Sequence, residues 1–216
     1  MTSYNLRDEP VIMRGLARLQ REAFGPSGFA VGITSATATF IHHVSGTSWH
    51  GSMQAESGMS FMAGDQRFSR EAWNDWLEEC RILAYRPGAG TWTTAEVFIF
   101  PDRPGQLQFF DEERLERDPD GHWYPGEHPS DARVWAEELL HFPRAVDNIP
   151  SWMWDIFKAE DVAPPIYNPE FNSVDWKNRR RPVTDRGTDF TVEPTVIDPS
   201  LEPGVFAKIG KKLFGG

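Results

Sequence analysis

The feature that most constrains the fold is a change of hydrophobic period within residues 69–110. In the first part, Ser69 can cap a helix, and apolar side chains then recur at helical spacing, which predicts a helix over residues 69–85. The second part has the alternating pattern of two strands joined by the turn sequence at 101–105. The helical stripe is formed by Ala72, Trp73, Trp76, Leu77, Cys80, Leu83 and Ala84. A helix that leads directly into an antiparallel hairpin predicts an α+β fold.

Two further helices and a set of strands are predicted on either side of this unit. Near residues 9–24, apolar side chains at helical spacing end at Gly25 and Pro26, and a third amphipathic helix is predicted at 130–142. Between residues 28 and 61, short β-favouring runs separated by glycines are typical of an antiparallel meander. We therefore expect an antiparallel sheet of about five or six strands, covered mainly on one face by the three helices.

The chain divides by composition into a body, residues 1–160, and a C-terminal segment, residues 161–216. Seven of the seventeen prolines lie in the C-terminal segment, which shows little apolar periodicity. This pattern predicts a Pro-rich extended arm with a short basic amphipathic end, rather than a second domain. Its large aromatic side chains indicate that it wraps over the body or over a partner, with Arg179, Arg180 and Arg181 meeting part of the acidic surface.

The charge of the chain is concentrated in the body. Residues 1–160 carry 24 acidic and 14 basic side chains, which accounts for the whole net charge of −10, because residues 161–216 carry 8 of each. An acidic body repels phosphate, so nucleic-acid binding is disfavoured. A basic protein partner is favoured, although the same charge also serves solubility. Since no apolar run approaches ~18 residues, we expect no membrane span and a cytoplasmic protein.

Residue patterns that would support catalysis are weak. The single cysteine, Cys80, excludes an intrachain disulfide and lies on the apolar stripe of its helix, where a thiol is usually a small core hydrophobe. The histidines show no metal-binding motif. They are His42, His43, His50, His122, His128 and His141. We therefore expect no enzymatic activity, no cofactor and no metal. The alternative is a small hydrolase or metal-dependent enzyme that uses the strand histidines His42, His43 and His50.

The acidic stretch, residues 111–127, is the best candidate for a binding site. It is expected to be a surface loop in which carboxylates surround two aromatic side chains, a combination that suits protein recognition because aromatic side chains anchor and charges steer. The alternative is a solvated loop whose Trp123 folds back onto the core. The predicted partner-binding residues are Asp111, Glu112, Glu113, Glu116, Asp118, Asp120, Trp123 and Tyr124.

Three segments of residues 70–157 resemble bacterial immunity proteins. The segments are LAYRPGAGTWTTAEVFIF, GQLQFFDEE and WAEELLHFPRAVDNIPSWM. They are similar to the YezG-like group and to the immunity factors of secreted NAD-glycohydrolase toxins related to the tuberculosis necrotizing toxin. The matching positions are Gly90, Thr91, Trp92, Gly105, Phe109, Phe110, Asp111, Phe142, Pro143, Arg144, Pro150 and Trp152.

The resemblance implies a bacterial antitoxin that binds a cognate toxin, basic or NAD-degrading, and occludes its active site. The matching positions are mostly of the kind that stabilise a fold, so the resemblance implies a scaffold more than a particular target. Besides the enzyme alternative, a third possibility is a structural component of a secretion or phage assembly.

Overall fold

The computed structural model describes residues 9–44, 46–58, 60–62, 70–110, 115–117, 123–125 and 131–202. The helices are α1 (Glu9–Phe24), α2 (Arg70–Ala84), α3 (Ala132–His141) and α4 (Ser151–Ala159). The strands are β1 (Ile33–His43), β2 (Gly46–Ala55), β3 (Ser60–Met62), β4 (Thr94–Ile99), β5 (Gln106–Phe110), β6 (Leu115–Arg117), β7 (Trp123–Pro125), β8 (Ile166–Asn168), β9 (Ser173–Trp176), β10 (Arg179–Thr184), β11 (Gly187–Thr188) and β12 (Thr195–Val196). The predicted α+β fold is confirmed. Within the described ranges, no helix is both long and apolar enough to span a membrane.

The first sheet contains five antiparallel strands in the order β3–β2–β1–β4–β5. The predicted meander corresponds to β1–β2–β3, and the predicted hairpin corresponds to β4–β5. Pairing of β1 with β4 joins these two units and places Phe40 opposite Ala95 in the centre of the sheet.

The first core lies between α1, α2 and one face of this sheet. The two helices contribute the apolar stripes that the sequence predicts, and Cys80 is buried among them. The strands contribute alternate residues, since successive side chains of a strand point to opposite faces. The main contributors are Ile12, Leu16, Leu19, Ala23, Trp76, Leu77, Cys80, Ala84, Ala36, Ala38, Phe40, Met53, Ala95, Val97, Ile99 and Phe109.

We expected α3 to cover the first sheet together with α1 and α2, but it packs mainly on α4, with which it forms a second core. In this core, Trp135 of α3 meets Trp152 of α4 edge to face, with ring centroids 4.8 Å apart. Met153 and Phe157 of α4 are fully buried against the apolar face of α3. The molecule therefore has two apolar centres, one under α1 and α2 and one between α3 and α4.

The C-terminal segment, for which an extended arm was expected, contains strands that pair with one another. They form a second antiparallel sheet in the order β11–β10–β9–β8, and β12 also pairs with β10. The sheet packs on the body, where the backbone N–H of Tyr167 donates to the carbonyl of Arg144 at 2.8 Å and the Thr188 hydroxyl donates to the carbonyl of Leu140. Val162, Ile166 and Trp176 extend the second core.

The three consecutive arginines of β10 do not make the expected contacts with the acidic body in the part of the chain that the structure describes. Arg180 forms two hydrogen bonds with Asp175, at 2.8 and 2.7 Å. Arg179 pairs with Glu202 at 2.9 Å, and Arg181 donates to the carbonyl of Val192. The expectation was wrong because carboxylates and carbonyls of the C-terminal segment itself lie closer to these side chains.

The contact between α1 and α2 depends on Gly15. The indole of Trp76 lies directly on this glycine and donates its N–H to the carbonyl of Val11 at 3.0 Å. A methyl group at position 15 would overlap the indole ring. Gly15 thus allows the two helices to approach, although glycine is a poor helix former.

We expect Gly15→Ala to lower the free energy of unfolding by about 1–3 kcal/mol, because the indole must move and lose its hydrogen bond. At an unrestricted helix position the same substitution raises stability by roughly 0.5–1 kcal/mol. Urea unfolding measures the change. Met13→Ala, at a side chain that is 42% exposed on the same helix, is the control and should alter stability by less than about 0.5 kcal/mol. A stabilised Gly15→Ala variant would contradict this account of the helix contact.

Candidate functional site

The two cores meet at a layer of buried polar side chains, which we call the polar junction. It is formed by residues of α2, of α3 and of the loops that follow these helices. Each of its side chains belongs to a residue that is at most 2% exposed. The members are Arg81, Tyr85, Thr91, Glu138 and Arg144.

An ion pair between Arg81 of α2 and Glu138 of α3 is the centre of the polar junction. The guanidinium donates to one carboxylate oxygen of Glu138, and both side chains are almost completely buried. The other oxygen accepts the backbone N–H of Val44, just after β1, at 3.2 Å. The guanidinium also lies over the ring of Phe142, 4.7 Å from its centroid. This pair therefore joins the first sheet, α2 and α3.

Arg144 connects the loop after α2 to the loop after α3. Its guanidinium donates to the carbonyls of Thr91 and, at 3.2 Å, Asn148. It lies so close to Gly90 that a Cβ atom there would be 2.5 Å from Nε, and Gly90 has a positive φ of 75°. Position 90 thus requires glycine for both space and backbone conformation. The hydroxyl of Thr91 donates to the carbonyl of Arg81 at 2.8 Å, which links the two arginines.

Tyr85 adds a neutral polar group to the junction. Burial, and to a smaller extent the nearby Tyr167, raises the pKa of the Tyr85 phenol, so the phenol stays protonated at all physiological pH values. Its ring packs on Phe142, with centroids 5.5 Å apart. The side chain is therefore a packing group rather than a base.

The segments that carry the resemblance converge on this junction. The Gly90–Trp92 run and the Phe142–Arg144 run face each other there, and Trp92 stacks on Phe109 with ring centroids 4.7 Å apart. These positions hold the fold together.

The sequence interpretation missed Arg81 and Glu138 as important residues, although a signal was present. Arg81 follows Leu77 by four residues, and Glu138 follows Trp135 by three, so both lie on the buried stripes of their helices. A charged residue on a buried stripe needs a partner of opposite charge. The two positions together therefore indicate a buried ion pair.

The structure describes only part of the predicted partner-binding site. Asp111, Glu112, Glu113, Asp118 and Asp120 lie outside the described residues. The other three predicted residues belong to a two-stranded antiparallel hairpin, in which Glu116 of β6 pairs with Tyr124 of β7, and Trp123 pairs with Arg117. The acidic stretch thus contains a short β-hairpin where only a loop was expected.

The strand histidines lie near the turn between β1 and β2. His42 and His43 end β1, and His50 of β2 is opposite Thr39. The ring of His43 packs against Trp135, with centroids 5.9 Å apart. Among the described residues, no group of three or more His, Cys, Asp or Glu could hold a metal ion. His122 and His128 lie outside those residues.

His141 lies at the end of α3, where its ring packs on Phe190 of the C-terminal segment at 4.4 Å between centroids. Burial lowers its pKa, and the charge of Glu138 opposes this effect. The histidine is thus part of the contact between the body and the second sheet.

Comparison with protein-family models finds no match to this chain, and comparison with curated proteins finds no significant relative.

We expect Glu138→Gln to lower the free energy of unfolding by about 3–5 kcal/mol, because it leaves the buried Arg81 charge without its counter-ion. Thermal and urea unfolding measure this loss. The matched control is Glu79→Gln, which breaks the surface ion pair between Glu79 and Arg14. The side chains of this pair are 47% exposed for Glu79 and 64% exposed for Arg14. The control should cost less than about 1 kcal/mol. Equal effects of the two substitutions would show that Glu138 does not hold the junction together.

Proposed function

We propose that this chain is a bacterial immunity protein, which neutralises a cognate secreted toxin by binding it and covering its active site. The observation that carries the proposal is the net charge of −10, all of which lies within residues 1–160. Such a charge attracts a basic protein and accelerates its association. The resemblance to immunity factors of NAD-glycohydrolase toxins supplies the class of toxin.

The acidic stretch is the proposed main contact with the toxin. It holds six carboxylates within residues 111–120, followed by Trp123 and Tyr124. In the β6–β7 hairpin, the backbone pairing places Glu116 opposite Tyr124 and Arg117 opposite Trp123. Aromatic side chains anchor protein interfaces, while surrounding charges select the partner and increase the association rate.

The buried charges support a structural rather than a chemical role for the interior. The Glu138 carboxylate is occupied by Arg81 and by the Val44 N–H, and the Arg144 guanidinium is occupied by two backbone carbonyls. Inhibition by occlusion needs a rigid body that presents a surface, and these contacts supply that rigidity. The proposed inhibition is therefore stoichiometric.

Replacing Trp123 and Tyr124 by Ala should weaken toxin binding at least tenfold, because truncation of interface anchors typically costs more than ~1 kcal/mol each. The toxin to test is the secreted protein encoded by the gene next to this one, since immunity genes usually lie beside their toxins. Calorimetry measures the Kd, and a melting curve tests the fold. Phe171→Ala, at an exposed aromatic residue elsewhere, is the control and should leave the Kd within about twofold.

Three outcomes of this experiment are informative. Normal binding by the double variant would exclude the acidic stretch as the contact. A large drop in melting temperature would show that the two rings belong to the core. A neighbouring gene product that does not bind the unaltered chain would count against the immunity function itself.

We also expect the association rate with the toxin to fall by roughly tenfold between low salt and 0.5 M salt, because screening weakens the attraction between the acidic body and a basic partner. The dissociation rate should change much less. Stopped-flow or surface-binding kinetics separate the two rates. An association rate that is flat across this range would mean that charge does not guide the encounter.

A further inference from the structure

Exposed apolar side chains are concentrated near the end of the C-terminal segment, where the body covers Phe190 only in part through the ring of His141. Five of the nine large apolar side chains that are exposed in the described part of the chain lie between residues 190 and 201. We call this group the edge ridge. It consists of Phe190, Val192, Val196, Ile197 and Leu201, and Leu201 is 68% exposed. Exposed apolar side chains that are concentrated in one place mark interaction surfaces.

The edge ridge follows one margin of the second sheet. Gly187 and Thr188 pair with the end of β10, and Thr195 and Val196 pair with its beginning, so residues 187–196 run alongside this strand. The short helical turn Pro199–Leu201 continues the ridge. The exposed side chains therefore lie on one continuous length of chain that follows β10.

Hydrogen bonds hold the edge ridge in a fixed shape. The backbone of Asp198 exchanges two hydrogen bonds with the side chain of Asn178, at 2.7 and 2.9 Å, and the N–H of Ile197 donates to the carbonyl of Asn178 at 3.1 Å. Arg181 donates to the carbonyl of Val192. A surface that is already ordered loses little entropy on binding.

Carboxylates outnumber cations along the ridge. Residues 187–202 include Asp189, Glu193, Asp198 and Glu202 and no lysine or arginine. The carboxylates of Asp189 and Asp198 accept hydrogen bonds from Thr191 and Ser200, which lower the pKa of both groups. Both carboxylates thus stay ionised beside the apolar side chains. Glu202 is paired with Arg179, and the guanidinium of Arg181 lies over the ring of Phe190, 5.5 Å from its centroid. The three remaining carboxylates, at positions 189, 193 and 198, thus outnumber Arg181, and the charge of the ridge is negative.

We propose that the edge ridge is a second docking surface for the toxin, and that it takes an apolar patch bordered by lysine or arginine. This inference rests on the proposed function, because it assigns the toxin a further contact. Apolar side chains at the centre and carboxylates around them match a partner with the opposite border charge. A neutral or acidic partner would remove water from these carboxylates without offering them an opposite charge.

The test compares two double variants with the unaltered full-length chain. Val196→Asp with Leu201→Asp places charge on the ridge. Val31→Asp with Val146→Asp makes the same chemical change at two exposed valines outside it, which are 90% and 52% exposed. Because both variants gain the same charge, their long-range attraction to a basic partner changes equally. The probe is the secreted protein encoded by the neighbouring gene, and calorimetry measures the Kd.

We expect the ridge variant to bind at least tenfold more weakly and the control variant to bind within twofold of the unaltered chain, with all three melting alike. Equal binding by the two variants would overturn the ridge as a docking surface and leave the proposed function intact. A probe that does not bind the unaltered chain would overturn both.

Hydrogen exchange gives a second measurement, which needs no substitution. Amides of residues 190–201 should exchange more slowly when the probe is added, and unchanged exchange there would contradict the inference. Two other occupants have their own signatures. Dimerisation of the free chain that the ridge variant abolishes would assign the ridge to a second copy. Faster exchange of the ridge after deletion of residues 203–216 would assign it to the end of this chain.

Discussion

The ion pair between Arg81 and Glu138 is the contact on which the arrangement of the two cores depends. It crosses from the helix that covers the first sheet to the helix that begins the second core, and its carboxylate also binds the end of β1. A buried ion pair contributes less to stability than its Coulomb energy suggests, because both charges lose their hydration. Its larger effect is on orientation, since any other placement of α3 leaves two buried charges unpaired.

Sequence periodicity was sufficient to predict the elements with long, regular patterns. The stripes of α1, α2 and α3 and the hairpin β4–β5 appear where expected, and the α+β class follows from them. The contact between the helices was not predictable, because a glycine in α1 carries no sign of the indole that lies on it. The polar junction was not predicted either, because charged residues on helices are usually solvated and only their position on the stripe distinguishes these two.

The second sheet was not predicted, for a different physical reason. Its strands are two to six residues long, too short for a clear alternating pattern. The turn between β9 and β10 places Lys177 and Asn178 at positive φ values of 47° and 59°. Hairpins with two such residues usually contain glycine, so the sequence gives a weak turn signal here. Of the predicted partner-binding residues, the structure describes only Glu116, Trp123 and Tyr124, and it shows that they belong to a hairpin.

The polar junction also determines which contacts can form while the chain is still being synthesised. Translation proceeds from the N-terminus, so Arg81 leaves the ribosome 57 residues before its partner Glu138. Until then, α2 carries a positive charge on the face that it will later bury, and the first core can close only at the cost of desolvating that charge. The contacts of the loop at residues 88–90 form later still, because its partners are Arg144 and the ring of Tyr167, which are made after Glu138. The contacts that bury Arg81 and pack the 88–90 loop can therefore form only after residues 138–167 have been made.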